Sequence, residues 1–126
     1  MIDAESAIFD RIANVFDTAY PNGSRYGEPI DTPIALPCMT LVEIDNSSYE
    51  SGLSGKQYAS ISYELNCYAH GKQEAKGVLG VIDEAMQNLG FYRTMAANTR
   101  NADQRIYRIT ARYSGVISDD YRIYRR

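Results

Sequence analysis

Histidine occurs once in this chain of 126 residues, cysteine twice and tryptophan never. A lone imidazole, His70, leaves too few ligands for a zinc site, and no Cys or Ser stands at a motif spacing that would make it a catalytic base. Cys38 and Cys67 are too few for a disulfide framework and are expected as reduced, core-facing thiols. No long apolar run is present and the N-terminus, Met1-Ile2-Asp3-Ala4-Glu5, is acidic. Neither a transmembrane span nor a signal peptide is therefore predicted, and the expected compartment is the cytoplasm, with no membrane partner. A phosphate-binding loop is missing too. Gly52-Leu53-Ser54-Gly55-Lys56 lacks the four-residue gap and the hydroxyl residue after Lys, and it precedes a strand instead of a helix. The acid pairs Asp83-Glu84 and Asp119-Asp120 read as a helix's wet face and a turn. The expectation is a protein without catalytic residues, cofactor or metal.

What is there is ordinary globular material of single-domain size, with 44% hydrophobic and 23% charged residues. Its clearest element is the stretch from Lys72 to Gly90. Ala75, Val78, Leu79, Ile82, Ala85, Met86 and Leu89 recur at steps of three and four, which puts them on one helical stripe. Lys72, Lys76, Asp83, Glu84, Gln87 and Asn88 occupy the other side. Gly90 follows the last periodic residue, where a left-handed cap needs no Cβ. Gly77 and Gly80 cost this helix about 1 kcal/mol each relative to Ala, so close packing onto a sheet, a hinge or a subunit contact has to account for them.

The rest reads mainly as strand. A first helix is predicted over residues 1–17, from an N-cap at Asp3 to Phe16, with Ala4, Ile8, Ile12, Val15 and Phe16 on its apolar face. Residues 18–33 are turn formers without periodicity and are predicted as a long loop. Residues 34–69 read as an antiparallel hairpin. Its first strand, Ile34 to Asp45, has Leu36, Cys38, Thr40, Val42 and Ile44 on one side and Met39, Leu41 and Glu43 on the other. Pro33 and Pro37 put its start at an edge or outside the sheet. Asn46 to Gln57 is polar and reads as an exposed loop, and Tyr58 to Ala69 alternates most cleanly, with Ala59, Ile61, Tyr63, Leu65, Cys67 and Ala69 inward. After the central helix, residues 91–126 give a strand to Ala97, a polar turn Asn98 to Gln104, a strand Arg105 to Tyr113 with Tyr107, Ile109, Ala111 and Tyr113 inward, and a last strand or arm. The predicted architecture is α+β: a mostly antiparallel sheet of about four strands with two helices packed on one face.

The net charge of −3 conceals a polarity along the chain. Residues 1–50 carry nine acids against two arginines, whereas residues 91–126 carry eight arginines against three acids. Such a chain can present one acidic and one basic surface, for head-to-tail association or for nucleic acid, unless the two halves interleave and the polarity cancels. Eleven tyrosines add to this, several beside an arginine: Tyr92-Arg93, Tyr107-Arg108, Arg112-Tyr113, Tyr121-Arg122 and Tyr124-Arg125. Tyr and Arg are enriched at protein contacts, and the same pairing stacks on single-stranded nucleic acid or simply lines the edge of a sheet core.

The order and texture of these segments resemble the tail terminator (tail completion, or neck) family of long-tailed bacteriophages. The residues carrying the likeness are the N-terminal amphipathic helix, Leu36-Pro37-Cys38-Met39-Thr40-Leu41-Val42-Glu43-Ile44 and Ile61-Ser62-Tyr63-Glu64-Leu65-Asn66-Cys67-Tyr68. With them go Ile82-Asp83-Glu84-Ala85-Met86-Gln87-Asn88-Leu89-Gly90-Phe91 and Ile106-Tyr107-Arg108-Ile109-Thr110-Ala111-Arg112-Tyr113. The likeness spans nearly the whole chain and includes no catalytic motif. It implies a hexameric ring in the virion, assembled in the host cytoplasm, that caps the tail tube and joins it to the head connector protein, with genomic DNA passing through its lumen. The candidate subunit or partner contacts are Ser54 and Lys56 in one loop, Arg100 in the other, Arg93, Arg105, Arg108 and Arg112 around the C-terminal strands, and Tyr121 and Arg122 in the arm. A head-side connector or another minor virion protein shares this texture, and a small nucleic-acid-binding module would use the same Arg/Tyr face.

Overall fold

A computed structural model describes residues 3–30, 32–33, 35–50, 57–101, 103–118 and 123–124. The first helix, α1, runs Glu5–Ala19 and buries Ile8, Ile12, Ala13 and Phe16. Its cap falls one residue later than the sequence predicts: Ala4 is the cap residue and no side chain caps the helix, so Asp3 does not hold that role. Val15 is exposed instead of sharing the apolar face, because Ala13 and Phe16 complete the turn against the core.

The stretch predicted as loop contains a strand, β1 (Ser24–Tyr26), paired in parallel with β2 (Cys38–Glu50). Three residues are too few to show a period, which is why the pattern hid it. The Ser24 N–H donates to the Pro37 carbonyl at 3.1 Å and its hydroxyl to the Ala35 carbonyl at 2.6 Å, pinning the strand to the segment before β2. Pro37 thus sits just outside the sheet, as a residue without an N–H should. β2 pairs antiparallel with β3 (Gln57–Ala69), and both strands run into the segment predicted as an exposed loop. A bulge between Glu43 and Asp45 leaves Ile44 exposed and brings Asn46 opposite Ile61. The alternation read through Ile44 therefore changes phase there.

The central helix, α2 (Lys72–Leu89), matches its prediction. Ala75, Val78, Ile82 and Met86 are buried, with Leu79, Ala85 and Leu89 packed beside them. Gly90 adopts φ 105°, and the N–H groups of Gly90 and Phe91 capture the carbonyls of Gln87 and Met86. Two further strands follow, β4 (Tyr92–Asn98) and β5 (Tyr107–Ser118), and a two-residue β6 (Ile123–Tyr124) pairs with β5 beyond the end of β4.

The sheet is mixed, because β1 and β2 run parallel while the other pairings are antiparallel, and its main path holds five strands, not four, in the order β1-β2-β3-β5-β4, with β6 beside β5. Both helices cover one face. α2 lies over β3, β5 and β4, while α1 lies beside α2 and against β1, with Phe16 over Gly23 and Phe9 near Gly27. Between the layers sit Phe16, Ile12, Met39, Leu41, Ile61, Tyr63, Leu65, Ile82, Met86 and Tyr113, all fully buried. Each large apolar side chain contributes about 1.5–3 kcal/mol on leaving water. Gly115 makes room for the Phe91 ring, which stands edge-on to Tyr63. The two glycines of α2 do not pack onto the sheet. Gly77 is exposed with Tyr20 as its nearest neighbour, and Gly80 faces open space. No described helix is long and apolar enough to cross a membrane.

Candidate subunit and partner interfaces

Sheet order decides where the charge goes. Residues up to 50 build α1, β1 and β2 on one side of the central strand β3, while residues 92–118 build β4 and β5 on the other. The two halves do not interleave. The acidic segment forms one edge of the molecule and the arginine-rich segment the opposite edge.

Of the predicted contact residues, Ser54, Lys56, Tyr121 and Arg122 lie outside the described residues. Arg108 and Arg112 are on β5, on the sheet face away from the helices, as their alternation predicts. Neither is free. Arg108 donates Nε to Asn66 Oδ1 at 2.9 Å and lies over the Tyr68 ring, and Arg112 pairs with Glu64 at 3.2 Å. Asn66 also accepts the Thr110 hydroxyl at 2.6 Å, and Thr110 in turn accepts from Thr99 at 2.7 Å. This face therefore carries a cross-strand polar network that holds β3, β5 and the β4–β5 loop in register.

Arg93 takes the other direction. It reaches α2 and pairs with Asp83 at 3.4 Å, and Asp83 also accepts the Tyr113 hydroxyl at 2.7 Å and Gln87 Nε2 at 2.6 Å. Asp83 thus reaches back toward the sheet, although its spacing placed it on the wet side of the helix. Burial first, and then the bond to Asp83, push the Tyr113 phenol well above its ordinary range. Arg105 is held by Asp103, which accepts its side chain and its backbone N–H and is itself pushed below the usual carboxylate range. That leaves Arg100, exposed in the β4–β5 loop, with no ion pair or side-chain hydrogen bond among the described residues. Asn98, Thr99, Asn101, Gln104, Ile106 and Tyr107 surround it in a shallow polar cleft.

The acidic edge was not singled out from sequence as a site. Between α1 and β1 lies a cleft of about 490 Å³ whose lining includes Glu5, Phe9, Asp10, Arg25, Tyr26, Glu28 and Leu41. Behind it Glu43 faces the start of α1. Burial first, then the charge and hydrogen bond of Glu5 and the charge of Asp3, push its carboxyl up to about 7, against an opposing hydrogen bond from Asn46. One Glu43 oxygen and the fully buried Tyr63 hydroxyl have no hydrogen-bond partner among the described residues. The sequence held one signal for this cluster: Glu43 stands in the same alternation phase as Met39 and Leu41. A carboxylate in an apolar phase is an anomaly that periodicity alone cannot interpret.

His70 is exposed and bonds Glu74 from both its ring and its N–H, and no group of three or more His, Cys, Asp or Glu among the described residues is arranged to hold a metal. Cys38 and Cys67 are both buried free thiols, but only Cys67 lies in the core between the layers.

With this geometry in hand, the chain was compared with known proteins. No family model matches it, and no curated protein does. Its fold matches a chain from a virus-like particle. That solved structure is described as "Virion of native gene transfer agent (GTA) particle". The two chains superpose with a TM-score of 0.62, over 90% of this chain and 93% of that one. Sequence identity is 13%, so the likeness is one of fold.

Proposed function

We propose that this chain is a structural virion protein that closes into a ring, most simply of six copies, on the end of a phage tail tube. The ring ends polymerisation of the tube and joins it to the head connector, and genomic DNA passes through its lumen. The observation that carries this reading is the fold it shares, over nearly the full length of both chains, with a chain of a gene transfer agent virion. The segregation of charge to opposite edges of the sheet supports it, because a subunit with complementary edges associates head to tail, and a heterologous contact that closes makes a ring. The work is geometric: the ring covers the last free surface of the tube, and no bond is made or broken.

The nucleic-acid module has less behind it, since Arg108 and Arg112 on the open sheet face are engaged by Asn66 and Glu64. The experiment is light scattering on the purified chain at two concentrations and two salt levels, followed by addition of its tail tube protein. A closed oligomer, alone or on the tube, is expected. An oligomer that ignores the tube and binds the head connector would assign it to the connector. A monomer that binds oligonucleotides with steep salt dependence would replace the virion reading altogether.

A further inference from the structure

We infer that the cleft between α1 and β1 is a socket for Arg100 of a second copy of this chain. The inference rests on the ring reading and specifies one contact within it.

The cleft supplies what a guanidinium needs. Glu5, Asp10 and Glu28 line it, and among the described residues no cation pairs with any of them. Arg25 lines the cleft as well, but its Nε–H is spent on the two carboxylate oxygens of Asp17 at 3.0 Å, which leaves the three acids in excess. Phe9, Tyr26 and Leu41 give the same cleft aromatic and aliphatic walls against which an arginine stem and the flat face of its head can lie. Glu5 also belongs to the carboxyl cluster behind the cleft, where it bonds Glu43 and where Asp3 adds its charge. The negative charge of that cluster reaches as far as the buried Tyr63 phenol, which it helps push above its ordinary range. An excess of negative charge selects a cation, and arginine carries five N–H donors in a fixed fork.

Register then selects which arginine. Arg25 of β1 pairs with Met39, Met39 with Cys67, Cys67 with Ile109, and Ile109 with Asn98 at the end of β4. One row of the sheet thus begins at the socket and ends two residues before Arg100. Socket and arginine therefore stand within two residues of the same height, on opposite edges. A second copy set edge to edge meets the first with little rise along the strand direction, and a head-to-tail contact without rise closes into a ring where one with rise winds into a filament. Arg100 is also the arginine of the basic edge that the described residues leave unengaged, as Arg93, Arg105, Arg108 and Arg112 have partners of their own.

The test is a charge exchange on the full chain, read by light scattering and sedimentation. Arg100→Glu and Glu28→Arg should each weaken self-association about tenfold or more, since each sets like charges together at the contact. The double variant, and a one-to-one mixture of the two single variants alternating around an even-membered ring, should recover it. Arg100→Cys with Glu28→Cys should give a ladder of covalent oligomers under oxidation, a readout that holds even if a charge-reversed protein folds poorly. If the wild-type chain forms its ring, the charge variants match it and the cysteine pair does not cross-link, the socket is wrong and the ring stands. If the wild-type chain stays monomeric with and without the tube, the ring reading falls and takes this contact with it.

Discussion

Tyr63 and Tyr113 are both fully buried on the helix-facing side of the sheet, yet their hydroxyls have opposite fates. Tyr113 donates to Asp83 at 2.7 Å, whereas the Tyr63 hydroxyl has no partner among the described residues. A hydrogen bond to a charged group contributes about 1.5–3 kcal/mol, and an unpartnered buried hydroxyl only costs desolvation. Tyr113→Phe should therefore lower the unfolding free energy in urea by about 1.5 kcal/mol or more, while Tyr63→Phe should leave it unchanged or raise it. Glu43 makes the same argument through pH. Its carboxyl, at about 7 when folded against 4.5 otherwise, binds its proton more tightly in the native state. Stability from this group is complete below pH 4.5, declines as pH rises toward 7 and is lost above it. Glu43→Gln should flatten that decline in a pH series of urea midpoints and leave the variant more stable than wild type at pH 8. A wild-type profile that is flat over this window would remove Glu43 from the account.

At the scale of elements, glycines separate helix propensity from packing. Gly80 in α2 faces open space, so Gly80→Ala should stabilise the fold by about 1 kcal/mol through helix propensity alone. Gly115 in β5 has no such freedom, because a Cβ there would stand 2.7 Å from the Phe91 ring. Gly115→Ala should cost about 1–3 kcal/mol by overpacking, and thermal melts of the two variants should move in opposite directions. Helix α2 was legible from Lys72 to Gly90 because eighteen residues carry five turns of apolar period and an unambiguous stop. β1 was illegible because three residues carry no period, and it forms through bonds from Ser24 to residues 35 and 37, remote in sequence. The bulge at Ile44 was hidden for a related reason. A bulge inserts one residue without a composition signature, so the pattern on either side looks continuous.

For the whole molecule, the arginines of β4, β5 and the loop between them divide into those held within the subunit and Arg100, which has no partner among the described residues. Reversing Arg108 or Arg112, two of the candidate contacts, does not isolate an interface. In the fold, Arg112→Glu puts a carboxylate against Glu64, and Arg108→Glu strips Asn66 of a donor. Both variants should lower the melting temperature of the subunit, so lost assembly in either would report folding as much as contact. Association through exposed edges of opposite charge should also weaken between 0.05 and 1 M salt, as the screening length falls from more than about 10 Å to about 3 Å, while subunit stability changes little. Light scattering and circular dichroism on the same samples separate the two effects.

The sequence by itself determined the two layers, the α2 stripe and its glycine stop, and the inward and outward faces of β3 and β5. These are properties of neighbouring residues, and a period of 2 or 3.6 records them directly. Only the tertiary structure decided that β3 stands between the acidic and the basic halves, so that a polarity along the chain became a polarity across the sheet. It alone turned Asp83 from solvent toward Tyr113, engaged Arg93, Arg105, Arg108 and Arg112, and left Arg100 two residues past the end of the row that begins at the acidic cleft. Each of these depends on which strands are neighbours, and strand order is fixed by long-range pairing that no local pattern encodes.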